Sequence, residues 1–209
     1  MAANDATTDL LELCSRVADN FGHFVVALDT ADVGSGMRLS MKIREVLRPG
    51  TEVVVLTSPL NNDFAAQRNR IQEAATTEWV LQLDCDERLA DGAALRLPDL
   101  ISDAETQGWV GIALTRRNIV DGIISAMYPD PQYRLLRRSI RFTRSVHEYP
   151  LLDRRRTFVH LGPGLLHYIA SQRLSVREGR YEGVEGGAGR PADTVLLRQP
   201  LDATVKLPV

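Results

Sequence analysis

The residues best suited to chemistry are acidic and follow a short apolar run directly. The run 79–83 (WVLQL) ends at Asp84, and Asp86 and Glu87 come next. In open α/β sheets ligands bind at the carboxyl ends of strands, so Asp84 and Asp86 are predicted at the rim of a crevice. Two carboxylates one residue apart can hold Mg²⁺ or Mn²⁺ and leave positions open for diphosphate oxygens. Alternatively, Asp84 caps a turn and the next two acids begin a solvated helix.

A second candidate lies on the helix predicted before this run. Arg68 falls on the same helical stripe as Phe64 and Ile71, so it is predicted to be buried. Its guanidinium either extends to solvent past an apolar stem or, with Asn69 beside it, points into the crevice to contact a nucleotide. Asp29 ends an earlier apolar run and can accept a hydrogen bond from a base or ribose, or can serve as an ordinary turn residue.

Two histidines are further candidates. His147 stands next to Glu148, and His167 follows the glycine-rich segment Gly162-Pro163-Gly164. A His-Glu pair can supply a metal ligand and a general base, since deprotonating an acceptor nucleophile needs a carboxylate or an imidazole. The alternative for any single histidine is a purely structural role.

Arginines are concentrated between Arg134 and Arg156. Because guanidinium suits bidentate phosphate contacts, Arg134 and Arg137 are candidates for binding a nucleotide-sugar diphosphate. The same cluster can instead form a nucleic-acid surface. The net charge of −2 and the pI of about 6.1 give no overall field that favours nucleic acid or an anionic membrane.

The elements that must position these residues alternate in type. Short β-branched runs predict strands at 24–28, 52–56 and 79–83, separated by amphipathic helices at 9–18, 37–47 and 64–75. This order is typical of a doubly wound α/β domain with a parallel sheet. The second half is predicted to be mixed, with antiparallel pairs, and contains a helix at 95–104 and strands at 110–114, 133–136 and 141–146.

Composition predicts where the domain ends and in which cellular compartment the protein lies. Glycine and charge are frequent at 177–193, which predicts a linker after a domain of residues 1–176, followed by a loose tail at 194–209. The two cysteines are far apart, which favours a reduced, cytoplasmic setting. No signal peptide or membrane-spanning run is expected.

Three separated segments carry a resemblance. Residues 63–89 (DFAAQRNRIQEAATTEWVLQLDCDERL) resemble the nucleotide-sugar domain of inverting family 2 glycosyltransferases. Residues 129–150 (PDPQYRLLRRSIRFTRSVHEYP) and 161–168 (LGPGLLHY) resemble the second half of a subgroup that includes lipopolysaccharide-core glucosyltransferases and peptide S-glycosyltransferases. The resemblance implies a GT-A (Rossmann-like) fold and a nucleotide-sugar donor, often a uridine diphosphate sugar. The acceptor can be a glycan, a lipid-linked sugar, a peptide or a nucleic acid.

The resemblance also implies roles for single residues. The Asp84-Cys85-Asp86 position, an Asp-x-Asp motif, would hold Mn²⁺ or Mg²⁺, and His147 or His167 would complete the metal and diphosphate environment. Asp29 matches the family's base-contacting acid, and Arg68 matches its nucleotide-side arginine. Glu148 is the candidate general base.

One departure from the family pattern affects the expected fold. Family members begin with an apolar strand and a short polar loop, whereas this chain begins at what resembles the following helix. Three interpretations stay open: residues precede Met1, the sheet closes around the gap, or the protein is a relative that binds a nucleotide sugar or a partner without catalysing transfer. Without the family's first strand, inner strands would lose hydrogen-bond partners, which is costly.

Overall fold

The computed structural model describes residues 3–205 and 207, and its helices and strands form a mixed α/β protein, as the sequence predicts. In chain order the elements are α1 (Ala3–Val17), β1 (His23–Leu28), α2 (Val33–Val46), β2 (Glu52–Thr57), α3 (Phe64–Ala74), β3 (Trp79–Leu81), β4 (Glu87–Leu89), α4 (Ala93–Gln107), β5 (Gly111–Val120), β6 (Ile123–Ile124), β7 (Asp130–Arg137), β8 (Phe142–Thr143), β9 (Tyr149–Pro150), a 3₁₀ turn (Arg154–Arg156), β10 (Thr157–Ile169), α5 (Ser171–Val184) and α6 (Pro191–Arg198).

Contacts divide the chain into two compact units. The first unit runs to Cys85 and also includes Arg137–Leu151, and the second unit comprises Asp86–Leu136 together with the chain from Leu152 onward. The sequence predicts a boundary after residue 176 instead. The observed division differs because the chain leaves the first unit after Cys85, returns to it at Arg137 and leaves it again after Leu151, a path that no local composition signals.

The first unit contains a parallel pair of strands with helices packed on it. β1 and β2 pair in register from His23 opposite Glu52 to Leu28 opposite Thr57. Apolar side chains of α1, α2 and β2 form its core, namely Cys14, Leu39, Ile43, Leu47 and Val53. α2 begins earlier than predicted because the Asp32 carboxylate accepts hydrogen bonds from the amides of Gly34 and Ser35 and so caps the helix.

The third predicted strand is shorter than expected and does not join this sheet. β3 ends at Leu81, and the β1–β2 sheet has two strands in the described part of the chain. After Leu81 the Gln82 side chain turns to α3, where its amide nitrogen donates to the main-chain oxygen of Arg68 at 3.2 Å. The prediction of three strands in one parallel sheet is therefore wrong.

The second unit contains a mixed sheet in the order β7-β5-β10-β4, with β6 beside β5. β5 pairs with β10 in parallel and with β7 antiparallel, and β10 pairs with β4 antiparallel. The prediction of a mixed second half is confirmed. Of the strand predicted at 141–146, which lies in the first unit, only Phe142–Thr143 forms, because Arg144 and His147 adopt positive φ angles of 71° and 51° and turn the chain.

The predicted linker and tail contain two helices. α5 extends to Val184 in spite of its glycines, and α6 follows at Pro191–Arg198. Buried Leu174 of α5 and Leu197 of α6 pack with Val120 and Ile169 of the sheet. The expectation of a loose tail is therefore wrong, because burying these leucines outweighs the weak helix propensity of the glycines.

None of the helices among residues 3–205 is long and apolar enough to cross a bilayer.

Candidate functional site

The centre of the first unit's candidate site is the guanidinium of Arg68. This side chain is 8% exposed, so α3 buries it as the helical stripe predicts. Nε donates to Glu148 Oε1 at 2.6 Å, and Nη2 donates to both carboxylate oxygens of Asp84 at 2.9 and 3.1 Å. Nη1 donates to Gln82 Oε1 at 3.3 Å. One buried cation therefore positions two carboxylates that are distant in the sequence.

The β8–β9 segment that carries Glu148 is attached to α3. The Asn69 amide donates to the carbonyl of Phe142 at 3.0 Å and accepts from its amide at 2.7 Å. The Phe64 amide donates to the carbonyl of Ser145 at 3.0 Å. Asn69 was predicted to contact a nucleotide, but its side chain instead binds the backbone of β8. It thereby helps to place Glu148 against Arg68.

Asp29 lies at the carboxyl end of β1, as predicted, and is exposed. Its Oδ1 accepts a hydrogen bond from the amide of Leu60 at 2.7 Å, which connects the loop after β2 to the end of β1. Gln67 of α3 donates to the carbonyl of Ala27 at 3.3 Å and connects the helix to the same strand end. The residue before Arg68 therefore lies beside the end of the strand that presents Asp29.

The second unit contains a different pair of predicted residues, Asp86 and His167. Antiparallel pairing of β10 with β4 sets His167 opposite Glu87, and the amide of Tyr168 donates to the carbonyl of Asp86 at 3.0 Å. The Nε2 atom of His167 lies 3.6 Å from Asp86 Oδ2, which is longer than a hydrogen bond. His147, the other predicted histidine, belongs to the first unit.

His167 is buried and held from its other side. Its Nδ1 lies 2.7 Å from Asn118 Oδ1, and the parallel register of β5 and β10 sets the two residues opposite each other. The amide nitrogen of Asn118 donates to Asp130 Oδ2 at 2.9 Å and to the carbonyl of Met127 at 3.2 Å. Every polar atom of the Asn118 side chain therefore has a partner.

Arg134 was predicted to bind the nucleotide sugar, but its guanidinium serves an internal ion pair. Nε and Nη2 donate to the two carboxylate oxygens of Glu87 at 3.0 and 2.8 Å, and Glu87 is fully buried. Arg116 donates to Glu87 at 2.9 Å and to Asp130 at 2.9 and 2.7 Å. A buried carboxylate needs a cation, and Arg134 supplies one to Glu87 together with Arg116. Its contact with a nucleotide sugar stays a prediction.

Arg137, the other arginine predicted to bind the donor, is also engaged. Its Nη1 donates to Glu78 at 3.0 Å, and its guanidinium carbon lies 4.9 Å from the ring centroid of Trp79. Such stacking on an indole is favourable for arginine. The guanidiniums of Arg138 and Arg156 donate to the main-chain carbonyls of Ala75 and Gly108. Arginines of the predicted anion-binding cluster therefore mainly stabilise the protein's own backbone and carboxylates.

The charged network of the second unit shifts two pKa values. Burial has the largest single effect on the pKa of Arg116, and it lowers this pKa. The charges of Asp130 and Glu87 together raise the pKa by more than burial lowers it, so the pKa lies above its ordinary value. Burial likewise raises the pKa of Asp130, and the Arg116 charge with hydrogen bonds from Asn118, Arg116 and Gln132 brings it below its ordinary value. Both groups are therefore charged at neutral pH.

The two carboxylates of the Asp-x-Asp motif are partly exposed. The side chains of Asp84 and Asp86 are 43% and 35% exposed, so each carboxylate is accessible. Among the described residues, no group of three or more His, Cys, Asp or Glu side chains is arranged to hold a metal ion. Mg²⁺ sites commonly use one or two carboxylates and take their other ligands from water and substrate phosphates. Asp84 and Asp86 each offer one carboxylate of that kind.

Gln82, Glu87, Arg116, Asn118 and Asp130 were not among the predicted site residues. Glu87 belongs to the acidic run that the sequence singles out, but its burial could not be foreseen from spacing. No local pattern marks Asn118 or Gln82, because each acquires its role from a residue on another element. No known protein family and no curated protein matches this sequence. A function must therefore be inferred from the chain's own residues.

Proposed function

We propose that the chain is an inverting, metal-dependent glycosyltransferase of the GT-A type that uses a nucleoside diphosphate sugar. The observation that carries the proposal is the placement of Asp84 and Glu148 on the single guanidinium of Arg68. A metal ligand and a general base must both lie near the anomeric carbon, and a shared cation is a simple way to hold two carboxylates close together. The resemblance of the sequence to family 2 glycosyltransferases supports the same reading.

The proposed roles follow the positions of the residues. Asp29, exposed at the carboxyl end of β1, accepts a hydrogen bond from the nucleoside. The Asp84-Cys85-Asp86 segment binds Mn²⁺ or Mg²⁺, with His147 or His167 as an additional ligand. When bound, the metal offsets the charge that develops on the diphosphate leaving group. The resemblance favours a uridine diphosphate sugar as donor.

The chemical step is a single in-line displacement. Glu148 takes the proton of the acceptor nucleophile while that atom forms a bond to the anomeric carbon. The bond from the anomeric carbon to the phosphate oxygen breaks, and the nucleoside diphosphate leaves with the electron pair. Arg68 holds Glu148 at 2.6 Å through Nε, so the base occupies a defined position before the acceptor arrives.

A second candidate is a protein that binds a nucleotide sugar or a partner without transferring sugar. The engagement of Arg134 by Glu87 and of Arg137 by Glu78 favours it, because both predicted diphosphate contacts are used within the protein. A catalyst without these contacts must neutralise the diphosphate through its metal and the remaining residues.

Calorimetry with uridine diphosphate tests the metal assignment. We expect Mn²⁺ to increase nucleotide affinity, and we expect Asp84→Ala and Asp86→Ala each to abolish most of that gain. Asp99→Ala is the matched control, since Asp99 is an exposed carboxylate on α4. If no nucleoside diphosphate gains affinity from Mn²⁺, or if Asp86→Ala keeps the gain, the metal assignment fails.

Product analysis separates the two candidate functions. The protein is incubated with Mn²⁺ and a panel of nucleotide sugars, and transferred or hydrolysed sugar is detected by mass spectrometry. Glycosyltransferase activity predicts a product that Asp84→Ala eliminates. Metal-dependent nucleotide binding with no transferred or hydrolysed sugar would support the binding protein instead.

A further inference from the structure

The first half of β10 lies at an edge of the second unit's sheet. From Thr157 to His160 this strand pairs with β5, whereas its pairing with β4 covers only Leu165–His167. In the described part of the chain no strand lies on the other side of Thr157–His160. Alternate residues of a strand with one neighbour direct their N–H and C=O groups away from it, so a further strand can be added here. Residues Thr157–Leu161 are the open edge of this sheet.

The open edge lacks the features that usually prevent strand addition. Its sequence (TFVHL) contains no lysine, arginine, acidic residue or proline. Val159 and Leu161, which alternate along the strand and therefore share one face, are 38% and 65% exposed. Phe158 points to the opposite face and stacks on Trp109, with ring centroids 4.6 Å apart. Because natural edge strands are commonly protected by charge or proline, an exposed aliphatic edge indicates a surface that a partner covers.

A basic turn precedes the open edge. The 3₁₀ turn Arg154–Arg156 leads directly into Thr157, and all three arginines are exposed. Arg156 Nε donates to the carbonyl of Gly108 at 3.0 Å, which fixes the turn to the C-terminal end of α4. Asp153 caps the turn by accepting from the amide of Arg155 at 3.0 Å. Three arginines and one aspartate give residues 153–156 a net charge of +2.

The outward backbone groups discriminate between possible partners of this surface. An anionic membrane would leave these groups unsatisfied, because lipid chains form no hydrogen bonds. Single-stranded nucleic acid stacks on exposed aromatic rings, whereas Trp109 and Phe158 are half-buried and stacked on each other. Antiparallel pairing of two copies about Val159 would set Arg154–Arg156 opposite residues 162–164 (GPG), which contain no acid. An extended acidic peptide satisfies the backbone groups, the aliphatic side chains and the arginines together.

We propose that the open edge is a docking site for an extended acidic peptide segment of a partner protein, which pairs with β10 as an additional strand. The peptide backbone bonds the edge, its alternate apolar side chains lie on Val159 and Leu161, and its acidic end lies against Arg154–Arg156. In an antiparallel peptide this is the carboxyl-terminal end, because the arginines precede the strand. None of these residues has a role in the proposed glycosyl transfer, so failure of that activity would leave the docking site unaffected.

Fluorescence anisotropy of labelled peptides measures the docking to the full chain. The probe is a short peptide of alternating valine and threonine that ends in three glutamates, and the control probe ends in three lysines instead. We expect the lysine peptide to bind at least about 10-fold more weakly, because it opposes the charge of the turn. If the glutamate peptide does not bind at about 1 mM, the weak end of the affinity scale, the proposal is overturned.

N-methylation of the glutamate peptide tests the strand pairing. Only alternate residues of an added strand direct their N–H groups to the edge. We expect N-methylation of one alternate set of residues to abolish binding and N-methylation of the other set to be tolerated. Equal tolerance of both sets would overturn pairing as a strand.

Substitutions in the protein test the location. Arg155→Glu reverses a charge beside the open edge, and Arg96→Glu is the matched control because Arg96 is exposed on α4 of the same unit. Leu161→Ser removes an exposed aliphatic side chain of the edge, with Leu95→Ser as its control, since Leu95 is 76% exposed on α4. We expect each edge variant to weaken binding of the glutamate peptide about 5-fold and each control to change it less than about 2-fold.

Other outcomes would identify a different occupant or a different site. Binding of phosphatidylserine vesicles or of a single-stranded oligonucleotide, without peptide binding, would replace the peptide by a membrane or a nucleic acid. A concentration-dependent dimer in sedimentation that Leu161→Ser eliminates would identify a second copy of the chain as the occupant. Peptide binding that leaves the hydrogen exchange of residues 157–161 unchanged would reject the open edge as the site.

Discussion

At the scale of single residues, Arg68 shows how one buried cation can hold two carboxylates. The resemblance implies a contact to the nucleotide, yet the donors described for Arg68 reach Glu148, Asp84 and Gln82. The face of the guanidinium also lies over the ring of Phe142, with its carbon 5.8 Å from the centroid. Arg68 is therefore best understood as a positioning residue for the two carboxylates.

Replacing Arg68 with lysine tests this role. Lysine keeps the charge but is a compact point donor that cannot reproduce the fork of Arg68. We expect kcat to fall about 100-fold, since small misplacement of a reacting group has effects of that size. The affinity for the nucleoside diphosphate should change less than about 3-fold, because the substitution removes positioning and not binding.

Steady-state kinetics and calorimetry measure the two quantities separately. Arg70→Lys is the control on the same helix, where Arg70 contacts only Gln67 among its described hydrogen-bond partners. A large loss of nucleotide affinity with unchanged kcat would instead identify Arg68 as a nucleotide ligand.

At the scale of elements, β10 determines where His167 lies. The strand follows β5 in parallel up to His160, shifts register, and resumes at Leu165 opposite Arg116. The shift contains the segment Gly162-Pro163-Gly164, which the sequence marks only as rich in glycine. At Gly164 the strand lies so close to the Thr115 backbone that a Cβ would overlap it. The bulge sets the register in which His167 faces Asn118.

Gly164→Ala should therefore destabilise the protein. We expect the free energy of unfolding to fall by about 1–3 kcal/mol, because the added methyl meets backbone that cannot move independently. Gly179→Ala is the control: Gly179 lies within α5 with nothing near the position of a Cβ, and the change should stabilise by up to about 1 kcal/mol. Urea unfolding measures both variants. Equal changes in the free energy of unfolding for Gly164→Ala and Gly179→Ala would show that the Thr115 backbone leaves room for a Cβ at residue 164.

At the scale of the whole molecule, each unit contains its own polar cluster. The first unit holds Arg68 with Asp84 and Glu148, and the second holds the network of Glu87, Arg116 and Asp130. The second network consists of buried charges in mutual contact, so its ionisation is coupled to folding. The pH dependence of global stability reports on it.

Asp130→Asn tests this coupling. The pKa of Asp130 is lower in the folded protein than its ordinary value of 3.8, so its ion pair stabilises the fold fully above pH 3.8. The contribution is lost as the pH falls through the lower, folded pKa. We expect the free energy of unfolding of wild type to exceed that of Asp130→Asn by about 3 kcal/mol at neutral pH. This difference should shrink in acid.

Urea unfolding at a series of pH values provides the measurement. The control is Asp99→Asn, because Asp99 is exposed on α4 and should contribute little at any pH. If the free energies of unfolding of wild type and Asp130→Asn differ by a constant amount into strong acid, the ionisation of Asp130 is not coupled to folding.

Local patterns in the sequence were sufficient for part of this fold. Periodicity and β-branched runs correctly predicted α1 to α4, the parallel strands β1 and β2, and the burial of Arg68, because each depends on spacing within one element. They also placed Asp29 at a strand end. The same information misjudged residues 177–209, since the burial of Leu174 and Leu197 depends on a surface formed by distant strands.

Taken alone, then, the sequence determined the order and type of the early elements and the acidic run from Asp84 to Glu87. Only the tertiary structure decided the partner of each charge: Glu87 with Arg134, Asp84 with Arg68, and His167 with Asn118. The reason is physical. A hydrogen bond between two elements depends on strand register and packing distance, and neither is encoded in the spacing of residues along a single element.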